Sequence, residues 1–148
     1  MFNLRPATED DAAVIRRLVR IGQINPTGLK WQRFVVTESP QGQVIGCGQV
    51  KSHGDGSDEL ASLVVHPDWR GKGIARAIIE HFAATHEGDL YLMCRSNLGP
   101  MYEKFGYRSA PPDEMPRYFQ RITRMLGLLG RVRSHGEEVL IMKRAGDT

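Results

Sequence analysis

The chain has 148 residues, of which 41% are hydrophobic and 25% charged, and its formal net charge at pH 7 is +3. This length fits one domain, 1–148, and the composition is that of a globular protein with a buried core, which argues against a disordered chain. No apolar run approaches the roughly 20 residues that cross a bilayer, and none follows Met1 as a signal peptide requires. We therefore expect a cytoplasmic protein that does not bind membranes.

The first half of the chain is predicted to hold one helix followed by three strands. Residues 2–6 alternate like a short edge strand, and Thr8 with the three acids after it marks a helix start whose apolar face runs to about Arg20. Turn-rich segments then separate three strand-like runs, which suggests an antiparallel meander. These runs cover residues 31–37, 43–51 and 59–65.

The second half alternates between helical and extended patterns. The apolar residues after position 73 recur at helical spacing until about Gly88, and a short apolar run over residues 90–94 reads as a central strand. Two further helices and a last strand are predicted at residues 101–105, 117–129 and 138–143. This order of elements predicts an α/β (α+β) domain built on a mixed sheet.

The cysteines and the charges exclude several classes of site. Cys47 and Cys94 are too few and too far apart for a disulfide framework and have no zinc-ligand spacing, so we expect two reduced core thiols and no metal. The small positive charge favours anionic partners without requiring nucleic acid, and we expect no nucleic-acid binding. Residues 116–133 contain five arginines and no acid, which predicts a local positive surface.

The segment over residues 63–75 carries the strongest functional pattern, a strand, a glycine-containing loop and a helix start. Gly71 and Gly73 allow the backbone to approach a ligand, and the first N–H groups of a helix have no partners inside it. With Arg70 and Lys72 beside them, these groups suit a pyrophosphate. Neither a Walker loop nor a dinucleotide fingerprint is present, and the alternative reading is an ordinary turn before an amphipathic helix.

At this point the sequence resembles the GNAT superfamily of acetyl-CoA-dependent N-acetyltransferases. The signature [R/Q]-x-x-G-x-[G/A] is matched by Arg70, Gly73 and Ala75, and a second signature, Y-x-K-x-G-[FY], by residues 102–107. The resemblance implies a mostly antiparallel central sheet, flanked by helices and splayed between its fourth and fifth strands.

The resemblance also implies how acetyl-CoA is bound. The pyrophosphate would lie on the backbone N–H groups from Gly71 to Arg76, and the pantetheine arm would bind the main chain of residues 63–65. The backbone N–H of Val64 or Val65 would then face the thioester carbonyl. The cofactor-binding residues expected on this basis are Leu63, Val64, Val65, Arg70, Gly71, Lys72, Gly73, Ile74, Ala75 and Arg76.

Two side chains are expected to carry the chemistry. By the resemblance, Tyr102 is the general acid that protonates the departing thiolate, although a tyrosine there can also be a packing residue. Glu59 is the best candidate for the base, because it lies six residues before Val65 and shares its face in a regular strand. A surface glutamate with a water relay is the alternative, and His53 and His66 are weaker candidates.

The sequence leaves the acceptor and the role of the arginine-rich segment open. We expect a small amine or an amino acid as acceptor, with a protein α-amine or lysine as the alternative. A non-catalytic acyl-CoA sensor is the rival function, and the presence of both Tyr102 and Glu59 favours the enzyme. Residues 116–133 are interpreted as a helix packed on the sheet, a homodimer surface, or a lid whose arginines bind a carboxylate.

Overall fold

The computed structural model describes residues 1–128, 133–134 and 137–146. Within these ranges, no helix is both long enough and apolar enough to span a bilayer. The elements in chain order are β1 (Asn3–Pro6), α1 (Ala12–Ile21), β2 (Phe34–Glu38), β3 (Val44–Ser52), β4 (Asp58–Val65), α2 (Ile74–Thr85), β5 (Leu90–Arg95), α3 (Gly99–Glu103), β6 (Arg108–Ser109), α4 (Arg117–Leu128), β7 (Arg133–Ser134) and β8 (Glu137–Arg144).

The strands form a mixed sheet in the order β1-β2-β3-β4-β5-β8-β6, with β7 paired to β8. Pairing is antiparallel from β1 to β3 and around β8. The one parallel pair in the described chain joins β4 and β5 at Glu59 and Tyr91, the second residue of each strand. The mostly antiparallel mixed sheet with flanking helices that the sequence predicted is thus confirmed.

The contacts of the chain divide into two compact units. One comprises Met1–Lys51 and Leu60–Thr85, and the other Ser52–Glu59 and His86–Thr148. In the first unit, α1 buries Ile15, Leu18 and Val19, which follow each other at helical spacing. They pack with residues of β2, β3 and β4 in a cluster of Ala7, Ile15, Leu18, Val19, Phe34, Val36, Val44, Cys47 and Val64.

Helix α2 packs on the opposite face of β3 from α1, at two glycines. A Cβ built on Gly46 would lie 2.8 Å from a methyl group of Ile74, and one on Gly48 would lie 2.8 Å from a methyl group of Ile78. Cys47, between them, belongs to the cluster that contains α1. Because successive residues of a strand point to opposite faces, the two glycines give α2 a closer approach than any other residue would allow.

In the second unit, β5 pairs with β8 over six residues, from Leu90 opposite Arg144 to Arg95 opposite Val139. Helix α4 packs here through Phe119, which is fully buried with Tyr91, Ala110 and Ile141. Residues 117–128 of the arginine-rich segment therefore form a packed helix, and Arg133 lies in β7. Leu129 and Arg131, which the sequence also assigned to that segment, lie outside the described residues.

Several boundaries differ from those predicted. Residues Trp31–Arg33 form a 3-10 turn, so the strand expected from residue 31 begins at Phe34. Helix α2 ends at Thr85 rather than near Gly88. Helix α3 begins at Gly99 and ends at Glu103, two residues earlier at each end than the sequence indicated, since Pro100 fits the first turn, where its missing N–H costs nothing.

Candidate functional site

The loop before α2 is shaped by two glycines with left-handed backbones. Gly71 has φ +77° and Gly73 has φ +83°, a region that other residues adopt only with strain. A Cβ on either glycine would meet no atom of the described residues within 4 Å, so the loop is open on this side. The first helical hydrogen bond runs from the N–H of Ala77 to the carbonyl of Gly73, which leaves the preceding N–H groups for a ligand.

The charges around this loop are positive. Arg70 and Lys72 are exposed, and the Lys72 Nζ lies 5.9 Å from the Trp69 ring centre. Arg76 is also exposed, and its Nε donates to Glu80 Oε1 at 2.9 Å, so part of its charge is compensated. A helix N-terminus with open N–H groups and two adjacent cations has the chemistry that a pyrophosphate needs, and the residues present fit coenzyme A in this respect.

Strand β4 is not regular along its length. Ser62 has φ +56°, a left-handed conformation in the middle of the strand. It is held by Gln49, whose Nε2 donates to Ser62 Oγ at 2.8 Å, while Cys47 Sγ donates to the Ser62 carbonyl at 3.5 Å. The strict alternation that would put Glu59 on one face with Ala61, Leu63 and Val65 therefore does not continue past Ser62. No sequence pattern indicated this irregularity.

Beyond Ser62, the side chains of β4 that are expected to bind the cofactor alternate in burial again. Val64 is buried in the core of the first unit, and Leu63 and Val65 are half-buried. The next residue, His66, donates its backbone N–H to the carbonyl of Ile45 at 2.8 Å. Its ring Nδ1 accepts from the N–H of Asp68 at 3.1 Å, so His66 caps the turn before the glycine loop rather than presenting a free base.

Glu59 lies in the second unit, where it contacts a histidine. The Nε2 of His53 is 2.9 Å from Oε1 of Glu59, and the two side chains are only 12% and 11% exposed. The His53 ring is stacked on Tyr118, with ring centres 3.5 Å apart and planes 12° apart. Phe119 meets the same ring edge-on at 5.9 Å. The predicted base is therefore half of a packed carboxylate–imidazole pair.

Asp55 connects the loop that carries His53 to the start of α4. Its Oδ1 accepts from the N–H and the hydroxyl of Ser57, and its Oδ2 accepts from the N–H of Tyr118 at 2.9 Å. These hydrogen bonds, the Ser57 hydroxyl first, lower the pKa of Asp55 to about 2. Burial, and then the charge of Glu59, raise the pKa of Tyr118. We name His53, Asp55, Glu59, Tyr118 and Phe119 the His53 cluster.

Tyr102 is buried in α3, in the second unit. It is 8% exposed, and the ring of Tyr107 meets it edge-on at 5.8 Å. Burial, followed by the proximity of Cys94 and Tyr107, raises the pKa of Tyr102. Its hydroxyl makes no hydrogen bond within the described chain. The hydroxyl oxygen is not fully buried, so solvent reaches it. A protonated, unengaged hydroxyl of this kind can donate to a ligand.

Both cysteines are buried and carry free thiols. Burial raises the pKa of Cys94 to about 11 and that of Cys47 to about 12, so both stay protonated. No group of three His, Cys, Asp or Glu residues in the described ranges could hold a metal ion.

The cofactor candidates lie in the first unit and both catalytic candidates in the second. No hydrogen bond joins Tyr102 to Glu59 among the described residues.

Comparison with known proteins gives a family match. Residues 30–109 match the sequence model of the acetyltransferase (GNAT) domain, more than half of the chain. A search of curated protein sequences found no match.

Solved structures give the same fold. The N-acetylglutamate synthase of Neisseria gonorrhoeae, solved with coenzyme A and N-acetyl-glutamate, has 20% identity and a TM-score of 0.77, covering 100% of this chain and 36% of that one. A Mycobacterium tuberculosis protein, solved with CoA and the ligand NLQ, has 21% identity and a TM-score of 0.73, covering 97% and 98%. The ribosomal-protein-S18-alanine N-acetyltransferase of Escherichia coli has 15% identity and a TM-score of 0.65, covering 100% and 96%. The chain thus spans about a third of the Neisseria synthase.

Proposed function

This chain belongs to the GNAT acetyltransferase family, and from that premise we propose that it moves the acetyl group of acetyl-CoA to the primary amine of a small molecule, most simply an amino acid. The transfer is a direct attack in a ternary complex, carried out by residues 1–148 acting as one catalytic domain. The observation that carries the proposal is the open, positively charged loop with left-handed Gly71 and Gly73 at the start of α2.

Coenzyme A is bound mainly by the main chain. The N–H groups from Gly71 to Arg76 hold the pyrophosphate, assisted by the charges of Arg70 and Lys72. The backbone of Leu63–Val65 binds the pantetheine arm as an added strand would. The N–H of Val64 or Val65 donates to the thioester carbonyl and stabilises the oxyanion as the tetrahedral intermediate forms. The left-handed backbone of Ser62 interrupts the regular geometry of β4 directly before these residues.

The proton transfers are assigned to the second unit. The ammonium form of the acceptor first loses a proton, and Glu59, whose carboxylate is paired with His53, supports this step. The neutral nitrogen attacks the carbonyl carbon, the C–S bond breaks, and Tyr102 donates its hydroxyl proton to the departing sulfur. Burial raises the pKa of Tyr102, so the phenol is protonated when the thiolate develops.

An amino-acid acceptor is supported by the solved structures, because the Neisseria synthase binds N-acetyl-glutamate. The exposed Arg117, Arg121 and Arg124 of α4 are compatible with an acceptor that carries a carboxylate. They recur at intervals of four and three residues, so they share one face of the helix.

The test is release of free thiol from acetyl-CoA with a panel of amines: the common amino acids, small polyamines, and peptides that present either an α-amine or a lysine. Release with amino acids or small amines is expected. Release with peptides alone would show that the acceptor is a protein amine rather than a small molecule. Tight coenzyme A binding without release would favour the sensor, and neither binding nor release would overturn the proposal.

A further inference from the structure

The His53 cluster indicates which atom receives the proton. We propose, on the basis of the function above, that Nδ1 of His53 is the general base of the acetyl transfer and that Glu59 is the positioning residue which orients it. The Nε2 of His53 is engaged by Glu59 Oε1 at 2.9 Å. A carboxylate accepts hydrogen bonds and does not donate them, so Nε2 carries the hydrogen and the lone pair of the neutral ring is on Nδ1.

Nδ1 is open. No hydrogen bond involving this atom occurs among the described residues, and the atom is not one of the fully buried polar atoms that lack a partner. Solvent or a ligand can therefore reach it. The two ring nitrogens are thus divided between two tasks, since one is held by Glu59 and the other is available to accept a proton.

The ring is held in one orientation by its neighbours. The face-to-face contact with Tyr118 and the edge contact with Phe119 restrict rotation about both side-chain torsions. The Asp55 hydrogen bond to the Tyr118 N–H ties α4 to the loop that carries His53. A base that is fixed before the acceptor binds loses little entropy in the reaction, which is the requirement for an efficient proton acceptor.

Two acidic residues and one phenol surround the His53 ring. Glu59 approaches the ring from β4, and Asp55 lies on the loop before that strand. Tyr118 faces the ring from α4 and is neutral, because burial and then the charge of Glu59 raise its pKa.

The step balances as follows. Nδ1 takes one proton from the acceptor ammonium, and the ring becomes an imidazolium whose Nε2–H remains bonded to Glu59. The neutral amine attacks the thioester carbon, the C–S bond breaks, and the sulfur takes the Tyr102 proton. The second proton of the amine nitrogen returns the phenol to its neutral form through solvent, and the imidazolium releases its proton to bulk water.

A pair of glutamine variants distinguishes this role from direct action by Glu59. His53→Gln keeps an N–H near the position of Nε2 and can still donate to Glu59, but it has no proton-accepting nitrogen. Glu59→Gln keeps an oxygen that accepts from Nε2 and removes the charge. If Nδ1 is the base, His53→Gln causes the larger loss; if the free oxygen of Glu59 is the base, Glu59→Gln does.

The experiment measures kcat/KM for thiol release from pH 6 to 10, using whichever panel amine the parent enzyme turns over. We expect His53→Gln to lower kcat/KM by about 10²- to 10⁴-fold at pH 7, with the deficit shrinking at high pH where free amine is abundant. Glu59→Gln should lose less, the Kd for coenzyme A should not change in either variant, and His81→Gln on α2 serves as the control. Nitrogen NMR of the imidazole should find Nε2 protonated and Nδ1 unprotonated in the neutral ring.

Two results would overturn the inference: a loss of kcat/KM in His53→Gln that is equal to or smaller than that in Glu59→Gln, or a neutral ring protonated at Nδ1. Thiol release by the parent enzyme would in either case leave the acetyltransferase proposal standing. If the parent enzyme binds coenzyme A but no amine of the panel supports thiol release, both proposals are overturned.

Discussion

Replacing Gly73 by aspartate places a side chain and a negative charge at the edge of the loop before α2. The Cβ itself meets nothing within 4 Å, so the change introduces no steric overlap with the described residues. The backbone at φ +83° costs about 1 kcal/mol for a residue with a Cβ. Any further effect on coenzyme A binding must therefore come from the charge.

The size of that effect follows from Coulomb's law. Two like charges about 4 Å apart repel by about 1 kcal/mol in water and by about 4 kcal/mol at an effective dielectric constant near 20, which is typical of a protein surface. This range corresponds to a loss of affinity between about 5-fold and 1000-fold. We expect Gly73→Asp to weaken coenzyme A binding at least 10-fold by isothermal titration, and less so at high salt.

Two controls separate charge from strain. Gly73→Ala adds the same backbone cost without the charge and should bind coenzyme A within a few-fold of the parent. Gly42→Asp, in the turn between β2 and β3, has nearly the same backbone (φ +85°) and an equally open Cβ, so it should lower the Tm as much as Gly73→Asp while leaving binding intact. Equal coenzyme A affinity in the aspartate and alanine variants at position 73 would refute the assignment of the pyrophosphate site.

Three further outcomes are expected. Tyr102→Phe should lower kcat about 10²-fold with an unchanged Kd for coenzyme A, whereas Tyr107→Phe, another buried tyrosine, should not; equal losses would remove Tyr102 from the mechanism. Because burial raises the pKa of Tyr102, kcat should not decline between pH 8 and 10 through loss of the Tyr102 proton. A decline in that range that Tyr102→Phe abolishes would show that the pKa of Tyr102 is not raised. The Arg5 hydrogen bond lowers the pKa of Asp11, so its stabilisation is present above about pH 4 and lost as the pH falls through the folded-state pKa. Asp11→Asn should therefore lower the free energy of unfolding by about 1–2 kcal/mol at pH 7, and urea melts should find the difference from the parent shrinking at pH 3.

The elements that could be predicted are those whose burial repeats along the chain. The face of α1 formed by Ile15, Leu18 and Val19 and the apolar run of β5 are periodic, and local periodicity reports on which side of an element is covered. The loop before α2 was also predictable, because Gly71 and Gly73 are needed there for their backbone conformation. In each case the physical cause lies within a few neighbouring residues.

The features that could not be predicted depend on distant neighbours. Strand β6 has two residues and no pattern of its own, and it exists because β8 is beside it. The contact of His53 with Tyr118 joins residues that are 65 positions apart, so no spacing along the chain signals it. The left-handed backbone of Ser62 was equally invisible, since serine is not typical of that conformation. A histidine before a strand carboxylate was only a weak indication of the pair that forms.

The two glycines of β3 set how deep α2 sits on the sheet, and thereby where its first turn ends up in space. A single methyl group at position 48 would collide with Ile78 and displace the helix outward, carrying the loop of residues 70–73 with it. A random mutagenesis screen for lost coenzyme A binding should then recover substitutions at Gly46 and Gly48, although neither glycine is on the surface where the cofactor is proposed to bind. Cofactor preference in this protein could accordingly be changed at two buried positions, Gly46 and Gly48. One added carbon atom there would shift all the backbone N–H groups at the start of α2 together.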